Sequence, residues 1–204
     1  MDYRAANEAE RNTNTPVSYS DKYDYSVKIE GFSEKTNKTI SECARRVAKS
    51  GSGDGNEHMY LINVDNGKEA YYEKGISGEV GGDAFWRFLE NNRGVNYAFV
   101  HNHNTDGYFS EMDMRTLLRE EQICAMIAVR NDAIIYIAEK GEKLPKTGYF
   151  DEMFADELNQ LSLKIKAGEI TEAERSIKRE EIIVDGLIKR YTKAGKLVEI
   201  NGQK

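Results

Sequence analysis

The stretch "AFVHNHNTDGYFSEMDM", residues 98–114, decides how the chain is read. An apolar run ends in two histidines one residue apart, and a polar loop leads into an acidic, helix-forming segment. Side chains at i and i+2 of a strand project to one side. If the run "YAFVHNH" is a strand, His101 and His103 therefore leave its end together, placed to share one metal ion. Neutral imidazole suits zinc, and a carboxylate commonly completes such a site while leaving a position for water. Two acids lie downstream, Asp106 and Asp113. Ser110 and Asp113 have the Ser-x-x-Asp spacing of a capping box, which puts Asp113 in the first turn of a helix starting near Ser110. Upstream, Glu57 opens the strand-like run "EHMYLINV" and is a candidate proton acceptor, with Glu79 of "GISGEVGG" as its rival. His58 should face away from Glu57 and reads as structural or surface.

Working outward, residues 1–22 are polar and short of apolar groups, and read as a flexible arm. "DYSVKIEG" alternates as a strand does. Ile40, Cys43, Ala44 and Val47 fall at helical spacing, with Gly51 beyond the end and "SGSGDGN" as a loop. "EHMYLINV" and "EAYYEKG", separated by "DNGK", predict a hairpin. "DAFWRFLENN" predicts a short helix with Asp83 as N-cap and Trp86, Phe85, Phe88 and Leu89 in the core. "ICAMIAVR" and "AIIYIAE" predict two strands around a tight turn. The region from 23 to 145 is thus an α/β or α+β domain.

Beyond Pro145, residues 146–204 form a helical C-terminal extension, two helices broken near "KAGEIT". Ile177, Val184, Leu187, Ile188 and Tyr191 share a face of the second. That stripe either packs on the domain or docks a protein partner.

Composition narrows the function classes. A net charge of -6 disfavours a dedicated nucleic-acid binder. No apolar run approaches membrane-spanning length, and the N-terminus lacks a secretory signal, so a cytoplasmic protein is the expectation. Cys43 and Cys124 stand far apart in apolar contexts and read as small buried hydrophobes.

The order of these features resembles the JAMM (JAB/MPN-type) metallopeptidase family, in its RadC-like bacterial and phage branch. The carrying residues are Glu57, then "GISGEV", "DAFWRFLENN", "YAFVHNH" and "SEMD", over roughly residues 55–138. The resemblance implies a mixed sheet flanked by helices, of the JAMM/cytidine-deaminase-like kind. It implies that His101, His103 and Asp113 bind zinc, that Glu57 is the general base and that Ser110 helps stabilise an oxyanion. It also implies a protein or peptide substrate, cleaved at a peptide or isopeptide bond. Asn104 stands where the family has proline, and the loop "NTDGYF" from His103 to Ser110 is one residue shorter than usual. Asp106 in place of Asp113, or a metal-free JAMM-like scaffold binding a protein partner, are the alternatives that these departures open. A RadC-like DNA-associated factor or nuclease is a third reading, which the net charge disfavours.

Overall fold

A computed structural model describes residues 18–103, 108–142, 150–194 and 198–202. Helix α1 (Glu34–Asp54) starts where Ser33 holds extended backbone and its hydroxyl accepts the Thr36 N–H. That bond satisfies one of the amides a first turn leaves unpaired. The helix does not stop near Gly51 as the sequence predicts. It runs through the expected loop to Asp54 and ends at Gly55, whose φ of 72° suits glycine and whose N–H reaches Gly51 O at 2.8 Å. Gly51 is itself buried, so close packing here outweighs glycine's poor helix propensity.

Strands β1 (His58–Asn63) and β2 (Lys68–Lys74) form the expected antiparallel hairpin. The Asn63 side chain accepts the N–H groups of Asp65 and Asn66, and Gly67 supplies a φ of 63°. In helix α2 (Asp83–Asn91) the N-cap is Gly82 rather than Asp83. The amides of Gly81 and Gly82 are taken by Glu73 Oε1 of β2 at 3.3 and 2.8 Å. A carboxylate from the neighbouring strand thus replaces a local cap. Phe85 and Leu89 of α2 are buried, but Trp86 is 37% exposed and corrects the expectation of a core tryptophan. One helical face can pack on the sheet, and Phe85 and Leu89, at i and i+4, occupy it.

The chain continues through β3 (Tyr97–His103), α3 (Glu111–Arg119), β4 (Ile123–Arg130), β5 (Ile134–Glu139), α4 (Phe150–Lys166), α5 (Glu172–Tyr191) and β6 (Val198–Asn201). The six strands form one mixed sheet in the order β2-β1-β3-β4-β5-β6. Among the described strands only β3 and β4 are parallel, joined by a crossover through α3. Every residue of β3 is buried, as expected for a strand covered on both faces.

Alternation along the strands divides the core. Met59, Leu61, Tyr97, Phe99, Met126 and Ala128 pack with α2, α3 and α5. Ile62, Ala98, Val100, Ala125, Ile127 and Val129 pack with α1 and the N-terminal segment. That segment is not the strand its alternation predicts. Tyr25, Val27 and Ile29 are buried, but the N–H of Val27 goes to Ser41 Oγ and that of Ile29 to Asn37 Oδ1, both at 2.9 Å. Side chains of α1 supply the acceptors a neighbouring strand would have offered. Of the expected arm, residues 1–17 lie outside the described residues, while the Tyr19 ring stacks on Tyr25 at 5.6 Å.

The C-terminal helices share the main core. Ile183, Val184, Leu187 and Ile188 of α5 are buried with Met114 and Leu117 of α3. The side chain of Ile177 lies outside the described residues. Strand β6 was not expected from the sequence. It pairs antiparallel with β5, and just past its end Gly202 donates to Ala133 O and accepts from the Asp24 N–H, both at 2.9 Å. A Cβ on Gly202 would lie 1.8 Å from Asp24 O, so glycine is required for this approach. Both cysteines are free thiols. Cys43 is buried and Cys124 half-buried.

Candidate metal centre

The last residues of β3 and the first turn of α3 meet at the edge of the core. Parallel pairing sets His101 opposite Ala128 and His103 opposite Arg130, which fixes the backbone of both histidines against the central strand β4. Their rings share one face of β3 and stand 4.7 Å apart at 68°. The Phe99 ring meets His101 edge-on at 5.2 Å.

Asp113 faces them from α3. The capping box expected from the sequence is present: Ser110 Oγ accepts the Asp113 N–H, and the Asp113 side chain accepts the Ser110 N–H. Asp113 Oδ2 takes bonds from Ser110 N (2.8 Å) and Ser110 Oγ (2.7 Å), and lies 3.1 Å from His103 Nε2. Asp113 Oδ1 lies 3.1 Å from His101 Nε2. That last pair is within ion-pair distance but lacks hydrogen-bond alignment. Both ring nitrogens of His101, which is 1% exposed, thus have no hydrogen-bond partner among the described residues. A buried polar group left so is costly in a molecule with no further partner.

The shorter loop to Ser110 therefore does not carry Asp113 out of reach. One ligand atom from each of His101, His103 and Asp113 can be chosen so that all lie within 4.8 Å of one another, and the group could hold a metal ion. The donor set of two imidazole nitrogens and a carboxylate oxygen fits zinc. Oδ1 is the freer carboxylate oxygen, since Oδ2 is occupied by the cap. Burial opposes ionisation of Asp113, but the close-lying His101 and His103 rings, with the bond from His103, outweigh it and hold the carboxyl well below the usual range. Asp106, the alternative ligand, lies outside the described residues, as do Asn104 and Gly107.

Glu57 precedes β1 and is 9% exposed. Met59, two residues on, pairs with His101 across the antiparallel β1–β3 ladder. Alternation then sends Glu57 to the face of the histidines. Burial raises its carboxyl above the ordinary value, His101 and His103 pull it down, and Asp113 and Glu79 add to the rise. Glu79, the rival base, is exposed in a tight turn whose backbone pairs with Ile76. His58 faces the other way, buried, with Nδ1 2.9 Å from the Tyr72 hydroxyl and Nε2 3.1 Å from Asp54. Ser110 is half-buried, and its hydroxyl proton is directed at Asp113.

Asn102 escaped the sequence reading. It lies between the two histidines, fully buried, on the opposite face of β3 with Ala98 and Val100. Its Oδ1 accepts the His58 N–H at 2.7 Å and its Nδ2 donates to Asn56 O at 3.1 Å. The available signal was a primary amide on the apolar side of a buried strand, where a polar group must find partners.

No protein-family model matches the chain, and neither does any curated protein or solved structure.

Proposed function

We propose that the protein is a zinc-dependent peptidase or isopeptidase of the JAMM type. The observation that carries this reading is the convergence of His101, His103 and Asp113, with the buried carboxyl of Glu57 in electrostatic reach. The order of Glu57, His101-x-His103 and Ser110-x-x-Asp113 along the chain resembles that family. Two imidazoles and one carboxylate form a three-ligand set that leaves a position for water or substrate. Zinc held there would acidify a water and polarise a substrate carbonyl.

The chain's own residues take the remaining parts. Glu57 accepts the proton of the attacking water and returns it to the leaving amine. Ser110 orients the Asp113 carboxylate through two bonds. To donate to a developing oxyanion, its hydroxyl must first release Asp113 Oδ2. Phe99 shields the inner side of His101 and limits the ways its ring can turn.

Elemental analysis of protein purified without added metal or chelator, followed by a screen of peptide and isopeptide substrates, tests the reading. The expected result is about one zinc per chain, lost in His101→Ala together with activity. Glu57→Gln should keep the metal and lose about 100-fold or more in turnover. Full activity in His101→Ala would sink the proposal. A metal-free wild type that stays metal-free when zinc is added back would favour the scaffold reading instead.

A further inference from the structure

We propose that Asn102 is a positioning residue, whose buried side-chain amide holds the segment carrying Glu57 against the strand that carries His101 and His103. The inference rests on the hydrolase reading for its consequence in turnover, but its geometric part stands apart from it.

The two sides of the site are fixed by different means. His101 and His103 belong to β3, and the backbone ladder to β4 extends over both. Asp113 is fixed by the start of α3. Glu57 has no such support from the β1–β3 ladder. Strand β1 begins at His58, and the pairing of β1 with β3 ends at Met59 and His101. Beyond that point the Asn102 side chain takes over. It accepts from the N–H of the residue after Glu57 and donates to the carbonyl of the residue before it.

The backbone of Glu57 itself faces the other way, toward Ile76 O and Gly75 N at 3.0 and 2.8 Å. Residue 57 is thus pinned from both sides, by the turn after β2 and by Asn102. The orientation of the amide is fixed by its partners, because one is a donor and the other an acceptor. Only a neutral primary amide of this length satisfies both. Aspartate keeps the acceptor for His58 N–H but sets a second oxygen against Asn56 O. Alanine leaves the buried His58 N–H and the part-buried Asn56 carbonyl without this partner. Neither change touches the ladder that holds the histidines, so metal binding and base placement become separable.

The test uses the full chain with Asn102→Ala and Asn102→Asp. Three quantities are read: amide hydrogen exchange at His58, zinc content, and kcat separately from KM. The expected result for Asn102→Ala is exchange at His58 faster by about 10-fold or more, with His101 and His103 amides unchanged and zinc retained. Its kcat should fall about 10- to 100-fold with little change in KM, as expected when a reacting group is misplaced by a fraction of its contact distance. Asn102→Asp should lie between Asn102→Ala and wild type in both exchange and kcat. Unchanged exchange at His58 overturns the proposal. So does an unchanged kcat despite faster exchange, or loss of zinc in parallel with activity, which would make Asn102 a support for the ligands. If metal-loaded wild type cleaves nothing, the hydrolase reading fails, and the exchange rates at His58 against those at His101 and His103 still decide what Asn102 holds.

Discussion

The hydroxyl of Tyr108 donates a 2.7 Å hydrogen bond to Asp185 Oδ1, joining the loop between the histidines and Ser110 to helix α5. The Tyr108 ring also meets Tyr136 of β5 at 6.0 Å, edge to face. The C-terminal helix, which the sequence left free to be either packed extension or docking arm, thus touches Tyr108, two residues before the Ser110 cap of α3. A double-mutant cycle of Tyr108→Phe and Asp185→Ala should give a coupling of about 0.5–1 kcal/mol in urea unfolding. Zinc competition against a chelator should show weaker binding in each single variant. Strictly additive variants with unchanged zinc affinity would mean the tie is incidental.

Asp113 caps helix α3 and is a candidate metal ligand, and the two roles should separate by substitution. Asp113→Asn keeps an oxygen for the Ser110 N–H and should preserve the start of α3, with a small change in melting temperature. Losing even an outer partner of a metal ligand costs about 10- to 100-fold in affinity, so removing the ligand's charge should weaken zinc at least ~10-fold. Ser110→Ala should cost about 1 kcal/mol through the lost cap. Calorimetry and zinc titration of the two variants check the separation.

Zinc itself should stabilise the fold. A ligand bound only by the native state at 100 times its Kd adds about 2.7 kcal/mol. Part of that gain comes from giving one of the buried His101 ring nitrogens a partner. Differential scanning with zinc and then with a chelator should show a reversible rise in Tm, absent in His101→Ala.

Gly186 of α5 makes room for a buried acid of α4. A Cβ at this position would lie 1.9 Å from Glu157 Oε2, and Glu157 is 3% exposed with Oε1 2.9 Å from Arg190 Nε. Glycine to alanine in an exposed helix stabilises by up to about 1 kcal/mol. Here Gly186→Ala should destabilise by about 1–3 kcal/mol, because the helices must part or Glu157 must leave its partner. Adding Glu157→Ala should recover part of the loss. Chemical denaturation of the single and double variants measures both signs.

Lys140 carries a pH dependence. Burial pushes its ammonium down to about 8, against smaller opposing effects of Cys124, Glu120 and Glu121. Its Nζ donates to Glu120 O at 2.6 Å. The lysine binds a proton less readily folded than unfolded. The cost of burying its charge is therefore full below about pH 8 and fades as pH rises toward the ordinary lysine value. Lys140→Met should flatten that rise and raise stability at neutral pH, since Glu120 O keeps the Ile123 N–H at 3.0 Å. Urea midpoints of both proteins across the alkaline range check the difference.

The sequence was legible where a local rule and the tertiary structure ask for the same thing. The β1–β2 hairpin follows from Asp65-Asn66-Gly67, and the Ser110–Asp113 box follows from spacing that both a cap and a metal ligand favour. The reading failed where a partner distant in sequence replaced a local one. Residues 25–29 alternate like a strand, yet their amides bond to Ser41 and Asn37 of α1. Asp83 is a good local cap, yet Glu73 does the work from β2. Glycines 51 and 53 argued for a loop, yet the helix runs through both, with Gly51 packed in the core and Gly53 exposed. Strand β6 is short and mostly exposed, with too little alternation to register. At the site, His101 and His103 could be named as candidate ligands from spacing because one strand end carries them, while spacing left Asp106 and Asp113 open and the resemblance pointed to Asp113. Asn102 could not, because its partners lie at and just before the start of β1 and its side chain points away from the candidate site.

The bonds from Gly202 to Asp24 and to Ala133 have a consequence for the order in which the protein is made. Synthesis proceeds from the N-terminus, and domains fold as their parts emerge. The segment around Asp24 is produced early, yet its closing partner follows β6. Until that strand leaves the ribosome, the edge of β5 has no neighbour and the Asp24 N–H lacks its carbonyl. The candidate metal site, carried by β3 and α3, is made well before. Nascent chains should therefore bind zinc earlier than they resist protease at Asp24.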